Sequence, residues 1–253
     1  MEALRKERLD RGIKVRTEGI YAISSWREML YLIGPRLLLI LGFLSLPIIF
    51  MLAPYWKRVI SIVCIYSLLA ISFDFLTNFV GLVLLGGAFF IGVGGYTTAI
   101  LNTSLHLPLF LSIPIATILG AFISTILILP CLPLRGVYFA IVTLMYPLTF
   151  SKIIEALNIL GGTNGIMGVS PFPNPWLEEY IIIIVALLSL FALRRLVNED
   201  FGLVLRGIKD NDQAVKASGI NITYCKAIAV FIASLLGCFA GAYLSHLYMW
   251  AGI

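Results

Sequence analysis

The most specific pattern in this sequence lies in a polar stretch, residues 206–220, between two long apolar runs. Asp210 and Asn211 are of the types that cap free N–H groups at the start of a helix. Gly219 suits the left-handed conformation that often follows the end of one. Ala214 and Ala217 are small and three residues apart, so they share one helix face. The pattern predicts a short, capped helix with a small-residue face, which we interpret as a surface that a motor protein grips.

A second group of candidates consists of glycines in residues 81–96. So many glycines would weaken a helix in water. In a membrane they allow another helix to approach closely, and they permit a break where the backbone lines a cavity. Both interpretations stay open for Gly86, Gly92 and Gly94, as close-packing residues or as residues of a pathway-lining, broken helix.

A third candidate is the turn at residues 160–166, which is rich in free backbone groups. Such a turn either only joins two spans or lines and plugs the outer mouth of a pathway. Its candidate residues are Gly161, Gly162, Thr163, Asn164 and Gly165.

Isolated polar residues in apolar surroundings form the remaining candidates. Asp74, one turn before Asn78, is either a functional intramembrane acid or a hydrogen-bonding group. Lys152 and Glu155 predict a local ion pair, and His246 is expected to cap a helix end or bind water. The four cysteines show neither metal nor redox spacing. The sequence contains no phosphate-binding loop and no nucleophile–base pair, so neither a cofactor, a metal nor an enzymatic activity is predicted.

The composition requires a membrane protein, because 60% of the 253 residues are hydrophobic, 12% are charged and the mean hydropathy is +1.00. Several runs reach the roughly 20 residues that cross a bilayer as a helix. The fold class predicted is all-α: a polytopic integral membrane protein of about seven transmembrane helices, with broken or re-entrant segments. The predicted spans are 37–53, 59–77, 82–101, 109–130, 137–158, 179–196 and 227–248.

The positive charges predict the orientation of these spans. With the N-terminus inside, almost all Lys and Arg residues fall on the cytoplasmic side, whereas Lys57 and Arg58 fall outside. Residues 1–35 become a cytoplasmic N-terminal segment without a cleavable signal peptide, either a solvated tail or a helix at the membrane surface. Residues 36–253 form a transmembrane domain with a cytoplasmic segment at about 194–226, which we call the coupling segment because it contains the predicted helix that a motor protein grips. Lipid is therefore a partner, and the net charge of +5 is no sign of nucleic-acid binding.

Four stretches, in order, resemble the permeases of ABC importers for branched-chain amino acids. Residues 81–96 resemble the family's glycine-rich motif, and 134–144 its Leu-Arg-Gly-x-Tyr-x-Ala-Ile-Val-Thr-Leu motif. Residues 160–166 match Gly-Gly-Thr-Asn-Gly-Ile, and 203–221 resemble the cytoplasmic coupling segment. The resemblance covers about residues 60–253 and continues in the small residues of the last span.

The resemblance implies a second permease subunit, cytoplasmic ATPase subunits and an external solute-binding protein as partners. It places Asp212, Ala214, Ala217 and Gly219 at the family's coupling positions, where Asp212 replaces the usual glutamate. The residues expected to couple to the ATPase are Arg206, Asp210, Asp212, Ala214, Ala217 and Gly219. Those expected along the translocation pathway are Gly86, Gly92, Gly94, Tyr96, Thr143, Gly161, Gly162, Thr163, Asn164 and Gly165.

The sequence also departs from the family pattern. Leu82, Leu84 and Gly87 stand where the family usually has polar side chains, and Leu148 stands at its acidic position. A pathway more apolar than usual is the consequence if those positions touch substrate. The family continues past residue 253 with about two more spans, so a fragment, a split gene product or a decayed copy is expected.

Together these observations predict the permease subunit of an ABC importer for branched-chain or other hydrophobic amino acids in the cytoplasmic membrane, with ATP hydrolysed by a partner. The alternatives are a urea/amide- or sugar-type ABC permease, an ion-coupled carrier that uses Asp74 and the Lys152–Glu155 pair, and a truncated, non-functional permease.

Overall fold

The structure is a computed structural model that describes residues 26–49, 54–134 and 136–252. The described residues from Leu44 onward belong to one compact unit, and the described residues up to Phe43 belong to another. Most of the predicted N-terminal segment, residues 1–25, and the predicted end of the first span, residues 50–53, lie outside the described residues.

The described residues form helices almost throughout. The long helices are α1 (Trp26–Ile49), α2 (Pro54–Asp74), α3 (Gly87–Thr103), α4 (Leu109–Ile128), α5 (Val137–Leu157), α6 (Pro175–Asn198), α7 (Asp200–Ala217) and α8 (Ile222–Tyr248). A π-helical turn, Phe75–Val80, follows α2, and 3₁₀ turns occupy Leu129–Cys131 and Gly162–Asn164. Two short strands, β1 (Ile166–Met167) and β2 (Trp250–Ala251), pair antiparallel with Ile166 opposite Ala251. The all-α prediction is confirmed apart from this small ribbon, which the sequence did not predict.

Within the described residues, five helical stretches are long and apolar enough to cross a membrane. They are Tyr55–Val80, Leu109–Cys131, Val137–Leu157, Pro175–Asn198 and Ile222–Tyr248. A shorter apolar stretch, Leu37–Ile49, and the 17-residue α3 correspond to the other two predicted spans. The polytopic membrane fold is therefore confirmed, and the count of seven stays a prediction.

The glycine-rich stretch is shorter as a helix than the predicted span 82–101. The backbone of residues 81–86 is not helical, and α3 begins only at Gly87. From there α3 is continuous through Gly92 and Gly94. The predicted interruption thus occurs before the helix and not within it. Helix α5 is likewise continuous through Pro147.

The centre of the fold is the packing of α3, α4 and α8. A Cβ atom added at Gly94 would overlap the backbone carbonyl of Cys238 on α8, and one added at Gly241 would overlap the carbonyl of Ile91 on α3. At Gly120 on α4, an added Cβ would lie 3.2 Å from the sulfur of Cys238. These three helices approach each other closely because small residues face one another at each crossing.

The other spans surround this centre to different extents. Helices α2 and α6 pack on each other and on α8 through a cluster that includes Leu68, Ile182 and Tyr243. Helix α5, in contrast, leaves most of its apolar side chains exposed, among them Tyr138 and Leu148. Exposed apolar side chains on a spanning helix are expected where lipid or another subunit covers them.

The packing of Gly94 generates a prediction. We expect Gly94→Ala to lower the stability of the detergent-solubilised protein by about 1–3 kcal/mol, because the new methyl group must displace the α8 backbone. Gly92→Ala is the matched control, since nothing lies within 4 Å of its added Cβ. The measurement is the fraction that stays monodisperse after heating. Equal heat resistance of the two variants would contradict close packing at Gly94.

Candidate functional site

The predicted docking helix forms, with its start one residue later than Asp210. Asn211 has non-helical backbone angles (φ −155°, ψ 96°) and interrupts α7. Its side-chain oxygen accepts hydrogen bonds from the backbone N–H groups of Gln213 (3.1 Å) and Ala214 (3.2 Å). Asn211 is therefore the cap, and the sequence prediction that Asp210 shares this role is wrong, because Asp210 ends the preceding helical part. We call residues 212–217 the docking helix.

The end of the docking helix is also as predicted. The N–H of Gly219 donates to the carbonyl of Lys216 (3.0 Å), and Gly219 has a φ of +81°, in the left-handed region. Ala214 and Ala217 are both exposed, whereas Val215 is turned toward the preceding helical part. A Cβ atom added at Gly207 would lie 3.2 Å from the Val215 side chain. The small-residue face consequently points away from the rest of the coupling segment.

The first part of α7, residues 200–210, lies against the π-helical turn that follows α2. Leu205 and Ile208 are buried there. The ammonium group of Lys209 donates a hydrogen bond to the backbone carbonyl of Asn78 (3.0 Å), and the guanidinium of Arg206 lies 5.4 Å from the centre of the Phe79 ring. A cation over an aromatic face is favourable. In this structure Arg206 thus contacts the turn, which the sequence did not predict.

The π-helical turn leads directly into the non-helical residues before α3. Gly81 ends the turn with a φ of +77°, and an added Cβ there would lie 3.1 Å from the Lys209 side chain. Further along, a Cβ added at Gly86 would overlap the backbone carbonyl of Thr143 on α5. Gly86 and Thr143 come from two different predicted motifs, and the fold brings them into contact. Thr143 is buried, and its hydroxyl donates to the carbonyl of Ala140 (2.9 Å).

These contacts surround a polar cavity of about 370 Å³ on the α7 side of the fold. Gly81 and Leu82 line it from the segment before α3, and Lys209, Asp212 and Lys226 from the coupling segment. Lys226 is largely buried, with 7% of its surface exposed. The coupling segment and the non-helical residues before α3 therefore line the same cavity.

The glycine turn lies at the opposite end of the fold, where it pairs with the residues after α8. The 3₁₀ turn Gly162–Asn164 is followed by β1, which pairs with β2. The indole N–H of Trp250 donates to the carbonyl of Asn164 (2.8 Å), and an added Cβ at Gly165 would overlap the carbonyl of Ala251. Gly161, Gly162 and Gly165 all have positive φ angles, which glycine adopts without strain.

The fold separates the predicted pathway residues into groups. Gly86 and Thr143 meet on the α7 side, and Gly94 is packed against α8. Gly92 and Tyr96 line a cavity near the opposite end, and Trp250 connects that cavity to the glycine turn.

A buried polar network that the sequence did not predict joins α3, α4, α8 and the segment at Ser170 at the same end. His246 is 1% exposed: its Nδ1 lies 2.7 Å from the carbonyl oxygen of Ser170, and its Nε2 lies 3.1 Å from the Ser112 hydroxyl. Asn102 donates to the carbonyl of Leu107 (2.9 Å) and accepts from the backbone N–H of Ser170 (2.8 Å). The expectation that His246 only caps a helix or binds water is wrong, because α3 and α4 enclose it.

The remaining charged candidates pair locally. The Asn78 amide donates to the Asp74 carboxylate (2.5 Å), and both side chains are exposed. The predicted Lys152–Glu155 pair is confirmed at 2.7 Å and is also exposed. Within the described part of the chain, no three His, Cys, Asp or Glu residues are grouped to hold a metal ion. These contacts do not favour an ion-coupled carrier, which would place such charges inside the bundle.

The network generates a prediction about Asn102. We expect Asn102→Leu to lower the stability of the solubilised protein by about 1–3 kcal/mol, because the partners on Leu107 and Ser170 lose their hydrogen bonds. Thr103→Val is the matched control, since it removes one bond within the same helix, to the Ala99 carbonyl. The losses of stability are compared by recording thermal denaturation curves of the two solubilised variants. A midpoint for Asn102→Leu at or above that of Thr103→Val would contradict the proposed importance of the network.

Comparisons with known proteins identify the family to which the chain is similar. Residues 55–249 match the family described as branched-chain amino acid transport system/permease component. The chain is 34% identical over 170 residues to the probable branched-chain amino acid transport permease protein LivM of Methanocaldococcus jannaschii, covering 62% of this chain and 49% of that protein. It is 28% identical over 212 residues to the high-affinity branched-chain amino acid transport system permease protein LivM of Salmonella typhimurium (70% and 49% covered). With the LivM protein of the same description from Escherichia coli it shares 27% over 227 residues (76% and 52% covered).

The chain spans about half the length of the curated relatives that it matches. No solved structure matches it significantly. The family match extends from α2 to the end of α8, so it includes the glycine-rich stretch, the glycine turn and the coupling segment.

Proposed function

The chain belongs to the family of branched-chain amino acid permeases, and from this premise we propose that it is the membrane-spanning subunit of an ABC importer. It moves branched-chain or other hydrophobic amino acids across the cytoplasmic membrane, and separate ATPase subunits hydrolyse the ATP. The observation that carries the proposal is the docking helix, which is capped at both ends and exposes Ala214 and Ala217. A small-residue face of this kind suits insertion into a groove on another protein, because it lets the backbone approach closely.

The orientation in the membrane follows from the same proposal. The coupling segment lies in the cytosol, where ATP is available, and the N-terminus lies on the same side. The excess of Lys and Arg in the predicted cytoplasmic segments supports this orientation. A second permease subunit and an external solute-binding protein complete the importer, as in the family that this chain resembles.

We propose that motion of the ATPase reaches the membrane part through Lys209. Movement of the docking helix would displace residues 200–210 together with the π-helical turn, because Lys209 bonds to the Asn78 carbonyl and contacts Gly81. The turn continues into residues 81–86, which contact α5 at Gly86 and Thr143. A shift of the docking helix would thereby change the position of α5 relative to α3, and this change opens or closes the pathway.

The docking helix generates a prediction about subunit association. We expect Ala214→Arg and Ala217→Arg each to abolish co-purification of the ATPase subunits, because a long charged side chain cannot enter a groove shaped for a methyl group. Ala214→Ser is the matched control, since it keeps the face small. The measurement is a pull-down from solubilised membranes. Recovery of the ATPase with both arginine variants would disprove docking at this face, and no recovery with the parent chain would disprove the importer assignment.

Lys209 generates a separate prediction about coupling. We expect Lys209→Met to retain the ATPase in the pull-down but to lower leucine uptake roughly three- to ten-fold, through loss of the hydrogen bond to Asn78. Methionine keeps a side chain of similar length over Gly81. Arg194→Met, at an exposed position outside the docking helix, is the control for the loss of charge. Uptake by Lys209→Met equal to that of Arg194→Met would contradict a coupling role for the Lys209 bond.

A further inference from the structure

Helix α5 packs against the rest of the bundle through one face. Phe139 and Thr143 are buried on that face. The rings of Tyr146 and Phe150 have their centres 5.3 and 5.1 Å from the centre of the Phe89 ring on α3. The opposite face of α5 is exposed along the whole helix. Of the five membrane-length stretches named above, α5 is the least buried, so it leaves a large face for another molecule to cover.

The exposed face carries a regular pattern. Six of its exposed residues follow each other at spacings of alternately three and four, which is the heptad spacing of residues that face a neighbouring helix in a coiled coil. Helices in membranes mostly pair with the same left-handed crossing. We call these six residues the α5 seam: Tyr138, Ile141, Met145, Leu148, Lys152 and Glu155.

The two charged residues of the α5 seam form an ion pair with each other. The Lys152 ammonium lies 2.7 Å from the Glu155 carboxylate, so the two charged ends lie at the same level although their backbones are about one turn apart. Both side chains are exposed, and both belong to a helix of membrane-spanning length. Charged side chains on a spanning helix normally face protein or water and pair with one another. The α5 seam therefore fits a protein partner that presents opposite charges at this level.

A second copy of this chain presents such charges. Both copies have the same orientation in the membrane, so a two-fold axis along the membrane normal relates them, and their α5 helices run parallel with equivalent residues at the same level. Lys152 and Glu155 lie about 60° apart around the helix axis, on opposite sides of the midline of the α5 seam. The two-fold rotation exchanges these sides. Lys152 of each copy consequently lies opposite Glu155 of the other.

From these observations we infer that the α5 seam is an interface between two copies of this chain. The four charged ends form a ring in which positive and negative groups alternate, so each has two oppositely charged neighbours. Such networks contribute more than an isolated exposed pair. The apolar residues of the α5 seam pack between those of the other copy. The second copy is thereby the second permease subunit; this identification rests on the proposed function, whereas the interface does not.

The interface is tested by disulfide cross-linking in membranes of cells that carry two versions of the chain with different tags. We expect Met145→Cys in both versions to give, on oxidation, a product of twice the mass that carries both tags, because equivalent residues meet across a two-fold axis. Leu188→Cys is the matched control, since Leu188 is similarly exposed on α6, outside the α5 seam. The parent chain gives the background from its four own cysteines.

Charge reversal tests the pairing between the copies. We expect Lys152→Glu in both versions, or Glu155→Lys in both, to lower the yield of the Met145→Cys product roughly ten-fold, because four like charges then meet. When one version carries Lys152→Glu and the other Glu155→Lys, the yield should return. Neither chain then has an ion pair of its own, so only attraction between the copies explains recovery. Immunoblots of membrane levels exclude poor folding as the cause of a loss.

The outcomes separate this interface from the transport function. A doubly tagged product that is lost in each single reversal and regained in the mixed pair supports the interface. Absence of that product with Met145→Cys overturns it, whether lipid or a different chain covers the α5 seam, and so do equal yields from all charge variants. Leucine uptake by cells with the parent chain, compared with cells lacking it, is measured in parallel. Absent uptake together with the doubly tagged product overturns the proposed function and keeps the interface.

Discussion

The close approach of α3 and α8 determines the rest of the structure. Gly94 and Gly241 remove the side chains that would hold these helices apart, so backbone of one helix contacts backbone of the other. Lipid offers no hydrophobic gain for joining two apolar helices, so such contacts must supply the association energy by packing. The same approach positions Gly92 and Tyr96 beside Leu244, and the cavity is the space that this packing leaves.

A second constraint acts where the helices are interrupted. In lipid each backbone N–H and C=O must find a partner within the protein, so irregular backbone occurs only where other segments cover it. On the α7 side, Lys209 donates a hydrogen bond to the Asn78 carbonyl, next to the non-helical residues 81–86. At the opposite end the Asn102 side chain donates a hydrogen bond to the Leu107 carbonyl and accepts one from the Ser170 N–H. In both places a polar side chain bonds to irregular backbone, and these contacts link the irregular stretches to the coupling segment and to the bundle.

The two ends of the molecule consequently have different chemical characters. The cavity on the α7 side is lined by charged residues, including Lys209 and Asp212, whereas the opposite cavity has a mostly apolar lining. The first is suited to transmitting movement between segments that remain hydrated.

The sequence by itself determined the class of protein, because apolar runs of membrane-spanning length and a biased distribution of Lys and Arg need no tertiary information. It also determined the docking helix, since a cap at Asn211 and a left-handed Gly219 are local interactions. Only the tertiary structure decided the roles of equivalent residues: Gly94 packs against α8 while Gly92, two residues away, faces a cavity. It likewise decided that His246 is buried among α3, α4 and the segment at Ser170. The reason is that the sequence around a glycine or a histidine is the same whether the residue is packed, buried or exposed. The residues that surround it in space come from segments distant in the chain.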